Sequence, residues 1–408
     1  MSTNFFVADL HIHIGAASNG KPIKVTASRD LTFANIAAEC ADRKGIAIAG
    51  VVDCAAPSVI RDIEALIARG EMSPLADGGL SYHDRVTMVL GAEFETREPT
   101  GGVSHNVSYF PDLQRLKEFS ARLSERVTNV DLSSQAARMS AAELLAICRA
   151  CGGEFIPAHA FTPFKSLYGN CARRLSQVFP PDAQSGIAAL ELGLSADSYL
   201  ADRIVELAAI TFVSNSDAHS LPRIGREYNI LDLRQATYTE VFQALRRQEG
   251  RSVAANFGLD PRLGKYHRTH CLDCEHTARG HPPQLRCEAC GSGHVVTGVL
   301  DRIADIADCA EPRPPEHRPP YRYQVPLQFV PKVGAVALNR LINRFGSEMA
   351  VLHRATAEEI ARTVGDKIAA LIIAAREGTL PLRAGGGGHY GRAVTDDTPD
   401  DSQLRLPV

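Results

Sequence analysis

Two histidines two residues apart, in Asp9-Leu10-His11-Ile12-His13, close the apolar run that begins the chain. Side chains alternate along an extended strand, so both imidazoles fall on one face. Polar residues mark the ends of later apolar runs too. Asp53 ends GIAIAGVVD, Glu93 lies near the end of TMVLGAEF, His105 opens HNVSYF, His159 ends EFIPAHAF, and Asp217 with His219 ends ITFVSNSDAH. Imidazole with carboxylate suits Zn, Mn or Fe, and several such groups can hold cations about 3.5–4 Å apart. Any one of these histidines is by itself an ordinary core or surface residue. That all of them sit at strand ends by accident is much less expected. Metals held this way provide hydroxide at neutral pH and clamp both oxygens of an in-line displacement at phosphorus. Phosphoester hydrolysis is the expected reaction, with Glu93, Asp217 and His219 nearest the chemistry.

A second constellation is Cys271, Cys274, Cys287 and Cys290, a CxxC–x12–CxxC array among ten cysteines. Four thiolates at this spacing read as a structural tetrahedral zinc site, closed to catalysis. Lys265, His267, Arg268, His270, Arg279 and Arg286 surround it and would give one basic face suited to nucleic-acid backbone contact; a purely scaffolding module is the plainer reading. Cys148 and Cys151 form a lone CxxC at a predicted helix end and read as structural. GGGG at 385–388 follows no strand-to-helix pattern, so a P-loop is not supported.

The elements that must position the first cluster alternate. Apolar runs of strand length are separated by stretches with helical apolar spacing, such as LTFANIAAECADRKG and AAELLAICRACGG. This predicts parallel βαβ units, in a barrel or a doubly wound sheet, whose ligands sit at strand carboxyl ends. The polar residues fall at those ends. After Asn256 the pattern becomes short and Gly- and Cys-punctuated, and EPRPPEHRPPYR reads as a stiff connector.

Composition bounds the alternatives. The 408 residues are 45% hydrophobic and 22% charged, enough for sizeable cores and unlike a disordered chain. No window is apolar for the roughly 18–20 residues of a membrane helix, and the start lacks signal-peptide features. A cytoplasmic protein with no membrane partner is expected. Net charge is −3, but residues 251–345 carry 13 basic and 9 acidic residues against 24 and 29 in residues 1–250. A local basic surface of this kind fits a nucleic-acid partner, although chance variation explains it as readily.

DLHIH, GAEFET, PAHAF and SNSDAH resemble the signature segments of the polymerase-and-histidinol-phosphatase (PHP) metal-dependent hydrolases. HNVSYFPD, EFIPAHAFTPFKSLYGN, LELGLSAD and VSNSDAHSLPRIGREYNI resemble, within that superfamily, the endonuclease Q family, over nearly the whole chain. The resemblance implies a distorted (β/α)7 barrel, then a four-cysteine zinc-ribbon module and a C-terminal helical, helix-hairpin-helix-like piece. The corresponding divisions are 1–255, 256–310, a Pro-rich connector 311–326, 327–380, and a loop and disordered tail 381–408. It implies His11, His13, Glu93, His105, His159, Asp217 and His219 as metal ligands, with Glu93 bridging and Asp53 a weaker member. Two or three divalent metals (Zn, Mn, Fe or Mg) and one structural Zn follow. The sequence departs from the pattern at Asp53-Cys54, where Asp-His is common, at Ala56, where endonuclease Q has His, and in IGAASNGKP, which lacks the expected basic and aromatic residues. These positions concern a third metal.

VPKVGAVALNRLINRF followed by EEIARTVGDKIAALIIAA resembles a tandem helix-hairpin-helix with turns at PKVG and TVGD, suited to gripping a DNA backbone. The implied activity is a DNA-repair endodeoxyribonuclease cutting 5′ to a deaminated base (uracil, hypoxanthine, xanthine) or an abasic site. Its partner is damaged DNA, with a DNA-repair or helicase protein as a further one. Two other readings stay open: a PHP-type small-molecule phosphoesterase, and a non-catalytic DNA-binding scaffold.

Overall fold

The computed structural model describes residues 3–395; apart from Thr395, the acidic tail expected to be disordered lies outside them. The apolar runs form β1 (Asn4–Ile12), β2 (Ile48–Val51), a short hairpin β3 (Met72–Pro74) and β4 (Leu80–Tyr82), β5 (Val86–Arg97), β6 (Val103–Phe110), β7 (Glu154–Pro157), β8 (Leu190–Glu191) and β9 (Phe212–Val213). β1, β2 and β5 pair in parallel, and β6 pairs antiparallel with both β5 and β7. A parallel bridge from Phe155 to Ile187 and the parallel pair β8–β9 continue the ring, which returns to β1 through a bridge between Ala218 and Ile12. The result is a distorted barrel of seven staves.

Wholly parallel βαβ units do not describe it, because β6 is inverted. Only five residues separate β5 from β6, and a crossover connection needs a dozen or more. The inversion matters for the site. It brings the beginning of β6, with His105, to the rim where the other staves end, opposite Glu95.

Apolar side chains fill the barrel floor. Leu10, Val89, Val107, Ile156, Ala189 and Val213, from six staves, belong to one buried cluster. Further toward the rim the same rows become polar: Val107 leads to His105 and Ala189 to Glu191 two residues on, and Val89 leads through Gly91 to Glu93. β1 reaches this arrangement through a register shift between Asp9 and Ile12, where three steps on β1 match two on β2. The extra residue lets Leu10 stay in the floor while His11 and His13 enter the mouth. Helices cover the outside, started by side-chain caps such as Thr32 and the reciprocal Ser140–Glu143 box.

The later segments join this body rather than trailing from it. β10 (Tyr228–Leu233) and β11 (Ser252–Gly258) extend the sheet antiparallel from β1. Tyr321–Tyr323 adds in parallel to β11, so the stretch anticipated as a connector contributes a strand. Four helices follow, Ala335–Phe345, Glu348–His353, Ala357–Val364 and Asp366–Arg376, with Gly365 at φ 87° between the last two, in the predicted TVGD turn. They dock through Lys44 to Glu348 at 2.8 Å, both buried, and through Tyr228 Oη to His353 Nε2 at 2.6 Å. Beyond them, where a loop was expected, Leu382–Arg383 pairs with Arg392–Ala393 as a small ribbon. Among the described residues no helix is long and apolar enough to cross a membrane.

Candidate metal centre

Each stave places one or two polar side chains at the mouth. His11 comes from β1 and His13 from just after it, Asp53 from just after β2, Glu93 from β5, His105 from the start of β6, His159 from just after β7, Glu191 from the end of β8, and Asp217 and His219 from after β9. His159 and Asp217 have φ of 29° and 45°, a conformation costing of order 1–3 kcal/mol each for ordinary residues. Hydrogen bonds hold both: Ala160 N–H donates to the Glu191 carbonyl at 2.8 Å, and His13 N–H to the Ala218 carbonyl at 3.1 Å. Gly193 is required beside them, since it sits at φ 81° and a Cβ there would lie 2.9 Å from that of His159.

The functional atoms converge into three overlapping groups: His11, His13 and Glu93; His13, Asp217 and His219; and Glu93, His105 and His159. His11 Nε2 lies 3.3 Å from His13 Nε2 and 3.6 Å from Glu93 Oε1. His13 Nε2 is 3.3 Å from Asp217 Oδ1, and His159 Nε2 is 3.5 Å from Glu93 Oε1. Glu93 Oε1, 2.9 Å from His105 Nδ1, and His105 Nε2 are both buried without a well-aligned hydrogen bond. Buried lone pairs left unpaired in an imidazole–carboxylate nest are what a divalent cation satisfies, so the donor set fits the metals.

Asp53, anticipated as a weaker ligand, is placed one layer back. Its Oδ2 accepts from His13 Nδ1 at 2.9 Å and from Ile14 N–H at 2.7 Å, and Ser133 donates to its other oxygen. It orients His13 instead of joining the converging atoms. The same role belongs to a residue that the sequence did not single out. Glu191 accepts from His11 Nδ1 at 2.9 Å and from the Asn215 amide at 3.0 Å. Its signal was a carboxylate ending the apolar run IAALE, as Asp53 ends its own. Such pairs fix the histidine tautomer and leave Nε2 free for the metal side.

Charge at the mouth is finely balanced. Burial opposes ionisation of Glu93, but His105 and Lys24 outweigh it and hold the carboxyl well below its ordinary value. Asp217 is likewise held low against burial, chiefly by His219 and His13. Burial pushes His219 down to about 4, so it is neutral at physiological pH. For His11 burial is overcome by Glu191, with Asp217 and Glu93, and the imidazole is raised to about 10.

Above the cluster opens a cavity of about 590 Å³. His159, Asp217 and His219 line it together with Arg223, Arg226, Lys265, Tyr266 and Tyr390. Arg226 is almost wholly buried and donates to the Ser216 and Asp217 carbonyls at 2.7 and 3.2 Å, pinning the backbone that carries Asp217. It also donates to Tyr390 Oη at 3.2 Å, and Lys265 Nζ stands 4.7 Å over the Tyr390 ring. Tyr390 lies in a Gly-rich stretch with no periodic signal, and only the fold shows where it reaches.

Beyond β11 the four cysteines also meet. Cys271 Sγ is 3.7 Å from Cys290 Sγ, and Cys274 Sγ is 3.5 Å from Cys287 Sγ. Sulfurs about 2.3 Å from a tetrahedral zinc stand about 3.8 Å apart, so the spacing fits the ion. Backbone N–H groups of Cys290 and Ala289 draw the Cys287 thiol down to about 6, toward the thiolate a metal needs. Of the surrounding basic residues, Arg268 is committed to Asp301 at 3.0 Å inside the module and is no part of an open face.

The chain is 45% identical over 387 residues to the uncharacterized protein YqxK of Bacillus subtilis, covering 94% of this chain and 98% of that one. Residues 198–249 match the family model described as PHP-associated. The lesion-specific endonuclease PfuEndoQ of Pyrococcus furiosus superposes with a TM-score of 0.80 and 32% identity, over 96% of this chain and 95% of its own. The chain belongs to the endonuclease Q family. A second solved structure of endonuclease Q, in complex with a 27-mer duplex carrying an abasic lesion at the active site, matches equally, covering 96% of this chain and 97% of that one. The barrel, the cysteine cluster and the C-terminal helices thus all lie within one shared architecture.

Proposed function

We propose that the chain is a metal-dependent endodeoxyribonuclease of DNA repair that hydrolyses the phosphodiester 5′ to a deaminated base (uracil, hypoxanthine or xanthine) or an abasic site. The observation that carries this reading is the convergence of His11, His13, Glu93, His105, His159, Asp217 and His219 beneath a cavity rimmed by arginine and lysine. Divalent metals held by these residues supply hydroxide at neutral pH and neutralise charge on the phosphoester oxygens.

The chain's own side chains do the positioning. Asp53 and Glu191 aim His13 and His11, and Arg226 fixes the Asp217 backbone. Arg223 and Lys265 offer cations to phosphate oxygens at the rim. The cavity is of a size for one nucleotide and not for a duplex, which suits a lesion turned out of the stack. Tyr266 and Tyr390 provide aromatic faces for it.

Lys265, Tyr266 and Tyr390 weigh against the small-molecule phosphoesterase reading. They come from the appended segments yet line the same cavity, so those segments serve the site. The complete ligand set weighs against a non-catalytic scaffold. End-labelled duplexes with one uracil, hypoxanthine or abasic site, beside an undamaged control, test the proposal with Mn or Mg. A nick 5′ to the lesion, abolished by EDTA, is expected. Equal cutting of the undamaged control would remove the lesion reading, and hydrolysis of a phosphomonoester alone would favour the phosphoesterase.

A further inference from the structure

His13 cannot serve two metals. Its Nδ1 is engaged by Asp53 at 2.9 Å, which leaves only Nε2 facing the cluster. An imidazole nitrogen has one lone pair in the ring plane, so it binds a single ion. Two of the three converging groups, His11–His13–Glu93 and His13–Asp217–His219, compete for that nitrogen. Only one of them can be completed alongside Glu93–His105–His159. The positions that could have provided another ligand do not. Cys54 is fully buried and turned away, its Sγ 3.1 Å from the Val51 carbonyl, and Ala56 has no donor.

A different cation is already in place. The Lys24 ammonium lies 3.2 Å from Glu93 Oε2 and 2.5 Å from Ser134 Oγ, and Ser134 itself donates to the same carboxylate oxygen. The side chain of Lys24 is only 14% exposed, and it approaches Glu93 from the oxygen opposite the one that meets His105 and His159. Ser133 ties the adjacent Asp53 into this corner, 3.1 Å from the Ser134 hydroxyl. A divalent ion beside Glu93 Oε2 on that side would have to displace an ammonium and its hydroxyl partner, or accept strong like-charge repulsion at close range.

We propose that Lys24 is a built-in third cation of the mouth, so that the strand-end site fills with two divalent metals and not three. This rests on the reading that the cluster binds divalent metal. Lys24 lies in the loop after His13, so a residue of this loop supplies the charge that neighbouring positions cannot recruit as metal.

The test is total divalent metal per chain, measured by inductively coupled plasma mass spectrometry after equilibrium dialysis against excess Mn with the four-cysteine zinc retained. The wild-type protein and Lys24→Arg, which keeps the charge, are each expected to reach about three ions in total, one of them at the cysteines. Lys24→Glu replaces the ammonium with a further oxygen ligand and is expected to rise to about four. Four ions in the wild type or in Lys24→Arg would overturn the proposal, as would three in a Lys24→Glu protein whose melting midpoint matches the wild type. Should Lys24→Glu fail to fold, the wild-type and Lys24→Arg counts still decide. A wild-type count of one, zinc alone, would instead overturn the underlying metal reading.

Discussion

Replacing Glu191 by Gln probes how the cluster is aimed. The wild-type carboxylate accepts from three N–H groups: His11 Nδ1 at 2.9 Å, the Asn215 amide at 3.0 Å and the His159 backbone at 3.3 Å. Only an acceptor on both oxygens matches three donors, and this keeps the His11 proton on Nδ1 with Nε2 bare to the metals. Glutamine must turn an NH2 toward one of them, at a position 1% exposed. A buried donor facing a donor costs about 1–3 kcal/mol. Loss of the partner behind a metal-binding histidine lowers metal affinity about 10–100-fold, or about 1.4–2.7 kcal/mol. The two magnitudes agree, so Glu191→Gln should fold and still need about 10–100 times more Mn for half-maximal nicking, with a rate near wild type at saturation. The assay is a Mn titration of cleavage of an abasic-site duplex, with thermal melting run in parallel. An unchanged Mn midpoint in a folded variant would refute the role given to Glu191.

Other consequences are equally specific. Burial pushes the Glu227 carboxyl from 4.5 up to about 8, against the Leu259 N–H and Arg226. The folded protein therefore retains a proton that the unfolded chain has lost, and stability is full below pH about 4.5 and falls as pH rises through about 8. Glu227→Gln should remove that fall, gaining on the order of a few kcal/mol over wild type at pH 9 and little at pH 4; melting curves that stay parallel across pH would contradict it. Tyr390→Ala should weaken binding of lesion duplex about tenfold through loss of one stacking face, read by fluorescence anisotropy, while undamaged DNA binds as before. Cys287→Ser should cost the chain one zinc and open residues 270–296 to protease, because metal binding is what holds so small a module folded; a protease-resistant variant with full zinc would assign the ion elsewhere.

The cluster was legible because side chains of metal-binding type at strand ends leave two local traces at once, a residue type and a break in an apolar run. His11, His13, Glu93, Asp217 and the four cysteines were readable on that basis. What it could not show was set by non-local geometry. The inversion of β6 depends on a short turn between two apolar runs that look like every other pair. Asp53 and Glu191 both end strands, and nothing in their local sequence says that one supports His13 and the other His11. Lys24 and Tyr390 lie in irregular segments, where no period ties a side chain to a direction. The strand at Tyr321–Tyr323 was obscured by the prolines before it, which fit an edge position as well as a linker.

Asp217→Asn decides whether the strand-end cluster cuts DNA. Asp217 Oδ1 faces His13 Nε2 at 3.3 Å and His11 Nε2 at 3.8 Å, and an amide in its place removes the charge that holds a cation there while keeping the shape. Cleavage of a 5′-labelled uracil duplex and its binding should be measured on the same preparation. We expect the nick to fall by at least about a hundredfold, since the ligand set is broken, with DNA affinity within about threefold of wild type. Cleavage at the wild-type rate would contradict the assignment of the metal cluster as the active site.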